Sequence, residues 1–171
     1  VNDDFSLVPL TFSDALTMNL NWHFRPIWYL SYPATNKLFG LSSFSHHATN
    51  LFLHLSNLIL AYCLFRKWLG HDKALLVVMF WSILPQNAFA ISWISQRNDL
   101  LMSSFILTSI ILSETRLRIS GFISFIFAFC SKNTCLMFPV MYLMQSGLKK
   151  NRSDFWIGSA LLFFIFSITF Y

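Results

Sequence analysis

Long apolar runs, cut by short polar ones, set the pattern of this chain. Residues 46–68 form the first run, and its length fits a bilayer. Residues 74–84 form the next, stopped by Pro85, and the runs 100–112, 119–130, 134–144 and 155–171 follow. Polar turns fall at 65–73, 114–118, 131–133 and 147–154. This pattern predicts an all-α protein, a polytopic transmembrane helix bundle over residues 46–171. Residues 1–45 lack a spanning pattern. They mix Trp22, Trp28, Tyr29 and Tyr32 with charges, and Pro26 and Pro33 break any long helix. They are predicted to form an extracytoplasmic first loop of short amphipathic helices at the membrane interface.

Polar residues inside the apolar runs carry the most information. At 100° per residue, His46, Asn50, His54 and Asn57 fall within one arc of about 80°. Such a stripe should face neighbouring helices, where it can be hydrogen-bonded, either as packing support or as part of a site. The stretch 84–101, LPQNAFAISWISQRNDLL, sets Gln86, Asn87, Gln96, Arg97, Asn98 and Asp99 between two apolar runs. Unpaired charge in a bilayer core costs several kcal/mol. This polar island is therefore expected to be a surface loop or a site within the bundle. Three runs reaching the same face are short or interrupted, at Pro85, at Ser131 and around Pro139, which would leave a recess with polar walls.

Composition strengthens the membrane reading. The chain is 56% hydrophobic and 11% charged, against about 25% charged in soluble domains. Its mean hydropathy is +0.57, and its 20 Phe and six Trp suit lipid-facing and interfacial positions. The net charge of +5 is scattered over short loops and gives no nucleic-acid signal. If turns alternate sides, Arg66, Lys67, Lys73, Arg116, Arg118, Lys149, Lys150 and Arg152 collect on one side. Arg25, Lys37, Arg97 and Lys132 collect on the other. The positive-inside rule makes the first set cytoplasmic. Cys63, Cys130 and Cys135 lie in or beside apolar runs with no CxxC spacing and read as small core residues. The chain opens on polar residues and closes within an apolar run, so a fragment of a longer membrane protein is expected.

The extracytoplasmic face then holds Asp3, Asp4, Arg25, Arg97, Asp99 and Lys132. Asp3 and Asp4 can supply a general base or hold a divalent cation. Hydroxyl activation needs no ion, so no metal or other cofactor is assigned. His46 and His54 stand two turns apart without a carboxylate nearby, a poor metal site. Arg25, Arg97 and Lys132 suit the phosphate of a lipid-linked substrate, or salt bridging to Asp99 or lipid head groups. A base for an acceptor hydroxyl and cations for a phosphate leaving group are the minimum for glycosyl transfer from a polyprenyl phosphate.

Several segments resemble a known family: Asn2-Asp3-Asp4-Phe5, Phe24-Arg25-Pro26, the run HHATNLFLH at 46–54, AFAISWISQRNDLL at 88–101, and Ser131-Lys132-Asn133. In this order they resemble GT-C type membrane glycosyltransferases, in the branch of the transmembrane and tetratricopeptide-repeat O-mannosyltransferases and their bacterial relatives. The resemblance runs from Asn2 to about Met144. It implies a partial GT-C fold, a polyprenyl-phosphate-linked hexose such as mannose as donor, a protein or glycan acceptor, and catalysis on the luminal or periplasmic side. It makes Asp3 or Asp4 the base and puts Arg25, Arg97 and Lys132 around the donor phosphate. His46, Asn50, His54 and Asp99 are their polar support. The compact loops favour a bacterial inner membrane over the endoplasmic reticulum. The chain departs from the family at Leu84, where a His precedes the proline, at Asn133, where a Glu is expected, and at Gln96, where a Gly is expected. The competing readings are a degenerate or non-catalytic polytopic protein, transporter-like or a scaffold, and a polymerase or ligase using the same lipid-linked sugars. A transporter would favour repeated halves, and no internal repeat is visible in the spans.

Overall fold

The structure is a computed structural model and describes residues 11–18, 25–115 and 117–136. All regular structure among the described residues is helical. The helices are α1 Phe12–Met18, α2 Pro26–Phe39, α3 Ser43–Leu69, α4 His71–Ser82, α5 Pro85–Ser92, α6 Arg97–Ser113 and α7 Arg118–Ser131. A 3-10 turn, Ile94–Gln96, joins α5 to α6. The chain divides into two compact units at Lys132 and Asn133. The second contributes only the 3-10 turn Asn133–Leu136 to the described residues.

Local chemistry explains the boundaries. Ser42 caps α3 by accepting the backbone N–H of Ser45 at 3.1 Å. Gly70, at φ +83°, ends α3, its N–H closing on the Arg66 carbonyl, and α4 restarts at His71. The polar turn expected over 65–73 thus contracts to one residue. The basic residues favour a helix C-terminus, so Arg66 and Lys67 stay helical. Pro85 forces Leu84 into extended backbone, and α5 leaves α4 at 58°. The side-chain amide of Asn87 donates to the Trp81 carbonyl at that break. Pro33, expected to break a helix, sits buried inside α2, so only one backbone bond is lost.

Helix α3 is long and apolar enough to cross a membrane, and the bent pair α4–α5 passes the same test together. Helices α6 and α7 are shorter, at 17 and 14 residues. Hydrogen bonds give the directions. Asn50 meets Arg97, Asn57 meets Ser104 and Lys67 meets Glu114. The numbering offset is constant, so α3 and α6 run parallel in register. From Asn50 to Lys67 that pairing covers about 26 Å at ~1.5 Å per residue. Helix α7 runs back along α6. The Ser109 hydroxyl donates to the Gly121 carbonyl at 2.7 Å, and the Ser124 hydroxyl to the Phe105 carbonyl at 2.9 Å. A Cβ on Gly121 would lie 3.1 Å from both Ser109 O and Ser113 N, so these backbones are as close as glycine allows.

Those pairings sort the polar residues by bundle end. Lys67, Trp68 and Glu114 cluster at one end, with the Trp68 indole N–H donating to Glu114 at 3.1 Å. Arg97, Asp99, His46, Asn50 and Lys132 gather at the other.

Candidate functional site

Helix α3 presents its polar stripe inward. His46, Asn50, His54 and Asn57 are all buried, and Leu51, Phe52, Leu55 and Ile59 are exposed on its other sides. Asn57 spans to α6 twice: its amide donates to the Leu100 carbonyl at 2.9 Å, and its oxygen accepts from Ser104 at 2.6 Å. Two turns up, Asn50 donates to the Trp93 carbonyl at 3.1 Å. That bond ties α3 to the chain where α5 turns into α6.

Arg97 is the centre of this end. Its side chain is the largest fully buried one among the described residues. Nε donates to Asn50 Oδ1 at 2.9 Å. Nη1 donates to the Ser31 carbonyl at 3.2 Å and to Thr35 Oγ1 at 3.1 Å. Nη2 donates to His46 Nδ1 at 3.0 Å and to the His46 carbonyl at 3.1 Å. A guanidinium has five N–H groups, and five well-placed acceptors receive them. The plane also lies over the Tyr32 ring at 4.8 Å. None of these partners is a carboxylate, so the cation is held by neutral dipoles.

This geometry fixes a tautomer. Arg97 can only donate, so His46 Nδ1 must accept. His46 Nε2 therefore carries the proton and donates to Asn36 Oδ1 at 2.8 Å. The chain Arg97–His46–Asn36 links α6, α3 and α2. Tyr32 adds a further tie, its hydroxyl donating to the Ile94 carbonyl at 3.1 Å.

The second feature is an ion pair. Lys132, one residue past α7, donates to Asp99 Oδ1 at 2.5 Å. Both side chains are partly open, at 22% and 34% exposure. Arg25 stands at the start of α2, its guanidinium 5.9 Å from the centroid of the Trp28 ring.

The predicted residues therefore separate. Arg97, His46 and Asn50 meet directly, and Asp99 and Lys132 meet as a pair on the same end. His54 is buried two turns along α3 from His46. Asp3 and Asp4 lie outside the described residues. Arg97, expected beside a donor phosphate, spends all five N–H groups on the protein and has none left for a ligand. Lys132, just past the end of α7, keeps partial exposure beside Asp99. Sequence reasoning missed Ser31, Thr35, Tyr32 and Asn36 as the partners of Arg97 and His46. Their signal was one-turn spacing, Ser31 with Thr35 and Tyr32 with Asn36, which makes a polar face on α2.

Among the described residues, no group of three or more His, Cys, Asp or Glu could hold a metal. No protein-family model matches the chain, and no curated protein or solved structure matches it.

Proposed function

We propose that this chain is part of a GT-C type membrane glycosyltransferase that takes a hexose from a polyprenyl-phosphate donor on the extracytoplasmic face. One observation carries this reading. Segments far apart in sequence, at Arg25-Pro26, 46–54, 88–101 and 131–132, are the ones that resemble the family. In the first compact unit, helices bearing them meet at one end of the bundle, tied through Arg97, His46, Asn50, Asp99 and Lys132. In this reading α3, the bent α4–α5 pair, α6 and α7 each cross the membrane, with Arg66, Lys67 and Lys73 cytoplasmic. A bacterial inner membrane suits the compact turns.

The chemistry divides as follows. Asp3 or Asp4 takes the proton of an acceptor hydroxyl. The acceptor oxygen bonds to the anomeric carbon, and the bond from that carbon to the phosphate oxygen breaks. The electron pair leaves with the polyprenyl phosphate, whose charge Lys132 and Arg25 stabilise. Asp99 orients Lys132. Arg97 is a positioning residue that holds α2 against α3 and α6. Metal dependence forms no part of this scheme.

The test uses membranes carrying the protein and radiolabelled polyprenyl-phosphate hexoses. Loss of label from the lipid that disappears in the double variant Asp3→Asn, Asp4→Asn is the expected result. Turnover that survives both substitutions removes the base assignment. Absence of turnover with every donor favours a non-catalytic protein, in keeping with Leu84 and Asn133 at positions where the family has His and Glu.

A further inference from the structure

We propose that the corner between α3 and α4 is a docking surface for anionic phospholipid head groups, held by Arg66 and Lys73. Gly70 alone separates the two helices. Its N–H closes on the Arg66 carbonyl, and its own carbonyl accepts from the Ala74 N–H. Arg66 and Lys73 therefore each lie within one turn of the same residue. The Tyr62 hydroxyl is hydrogen-bonded to His71 Nδ1 at 2.7 Å, which ties α3 to the first residue of α4 and fixes the corner. Arg66, Lys67 and Lys73 are all exposed there, but they are not equivalent. Lys67 lies 3.6 Å from Glu114, the carboxylate that also accepts from Trp68. Among the described residues, neither Arg66 nor Lys73 has an ion-pair partner. The end of α3 accounts for Arg66, since the helix dipole favours a cation there. Lys73 has no such local reason. It stands in the first turn of α4, where the dipole favours an acid such as Asp72 and opposes a cation. An anion from outside the chain offsets that placement.

The neighbours define the occupant. Trp68 and Leu69 lie between the two cations in sequence, and both are exposed. A free phosphate would leave these apolar side chains in water. A phospholipid covers them with its glycerol region and upper chains while its phosphate meets Arg66 and Lys73. Basic residues at the end of a membrane span attract acidic lipid in this way. The surface rests on the proposed orientation, with this corner cytoplasmic, but it requires no sugar transfer. It lies at the opposite end of the bundle from Arg97 and Lys132.

The test is a binding titration of the full chain in neutral detergent. The probes are fluorescent phosphatidylglycerol, which is anionic, and fluorescent phosphatidylcholine, which has no net charge. Each basic residue beside an acidic head group is worth about fivefold in affinity. The double variant Arg66→Gln, Lys73→Gln should therefore weaken phosphatidylglycerol roughly 25-fold and leave phosphatidylcholine unchanged. The double variant Arg66→Lys, Lys73→Arg keeps both charges and should bind like the unaltered protein. Lys37→Gln removes an exposed cation at the far end of α2, and its effect should stay below about twofold. Unchanged affinity in the Arg66→Gln, Lys73→Gln variant overturns the surface. So does a Lys37→Gln loss of the same size per charge, which would make the attraction one of net charge alone. An equal loss for phosphatidylcholine also overturns it, as does displacement of phosphatidylglycerol by inorganic phosphate, which would mark a site for the free anion. Since no turnover is read, failure here and failure of the glycosyltransferase reading are separate results.

Discussion

Replacing Arg97 by Met sets two opposing free energies against each other. The substitution removes five N–H donors from a site with no exposure. Two acceptors lose a partner they cannot replace, Asn50 Oδ1 and His46 Nδ1, both on fully buried side chains. Each orphaned acceptor costs about 1–3 kcal/mol. The contact with the Tyr32 ring contributes about another 1 kcal/mol. The Ser31 carbonyl matters less, because Thr35 still donates to it at 2.8 Å. Against this stands the desolvation of a cation with no carboxylate beside it, which Met relieves. Buried charge networks have been replaced by apolar residues with gains of about 1–4 kcal/mol. That gain arises when all members of a network are replaced together, and here His46, Asn50 and Thr35 remain. The orphaned acceptors should therefore prevail, with a net loss of about 3 kcal/mol. Thermal unfolding in nanodiscs checks the total, and hydrogen exchange checks the location. Exchange in α2 should rise most, because Ser31 and Thr35 lose their tie to α6. Arg97→Lys should fall between, keeping the charge but losing the fork. A cost below about 1 kcal/mol for Arg97→Met would show that desolvation outweighs the hydrogen bonds and would refute the reasoning.

Two other perturbations test the frame around this hub. Gly121→Ala puts a Cβ 3.1 Å from backbone atoms of Ser109 and Ser113, so α6 and α7 must separate by a few tenths of an ångström. A loss of about 1–2 kcal/mol in thermal unfolding is expected, and a larger one for Gly121→Val; a neutral Gly121→Val would mean the two helices are not in close contact. Asp99→Asn removes the partner of Lys132, but both side chains are partly exposed, so stability should fall by less than about 1 kcal/mol. The same variant should lower turnover of the polyprenyl-phosphate hexose in the membrane assay if Asp99 orients Lys132, and unchanged turnover would assign the pair to structure alone.

The helical class and the inward stripe on α3 were legible in the sequence, because both depend on periodicity. Apolar residues spaced for one face must be buried or meet lipid, and His46, Asn50, His54 and Asn57 at their spacing can share only one side of a helix. The break at Pro85 was legible for a similar reason, since a proline acts on its own backbone and that of its neighbour. The role of Arg97 was not. An arginine in a polar island reads equally as a ligand-binding cation or a buried strut. The choice depends on which acceptors surround it, and those come from residues 31 to 50 in sequence. Tertiary structure brought α2 and α3 against the start of α6, and the five acceptors they supply consume the guanidinium. Lys132 lacks such a cage and keeps one carboxylate and partial exposure. Local pattern thus determined which residues must be inside, while long-range packing decided which of the charged ones remain open to a ligand. A hydrogen-bond donor can be spent only once, and the sequence does not state where.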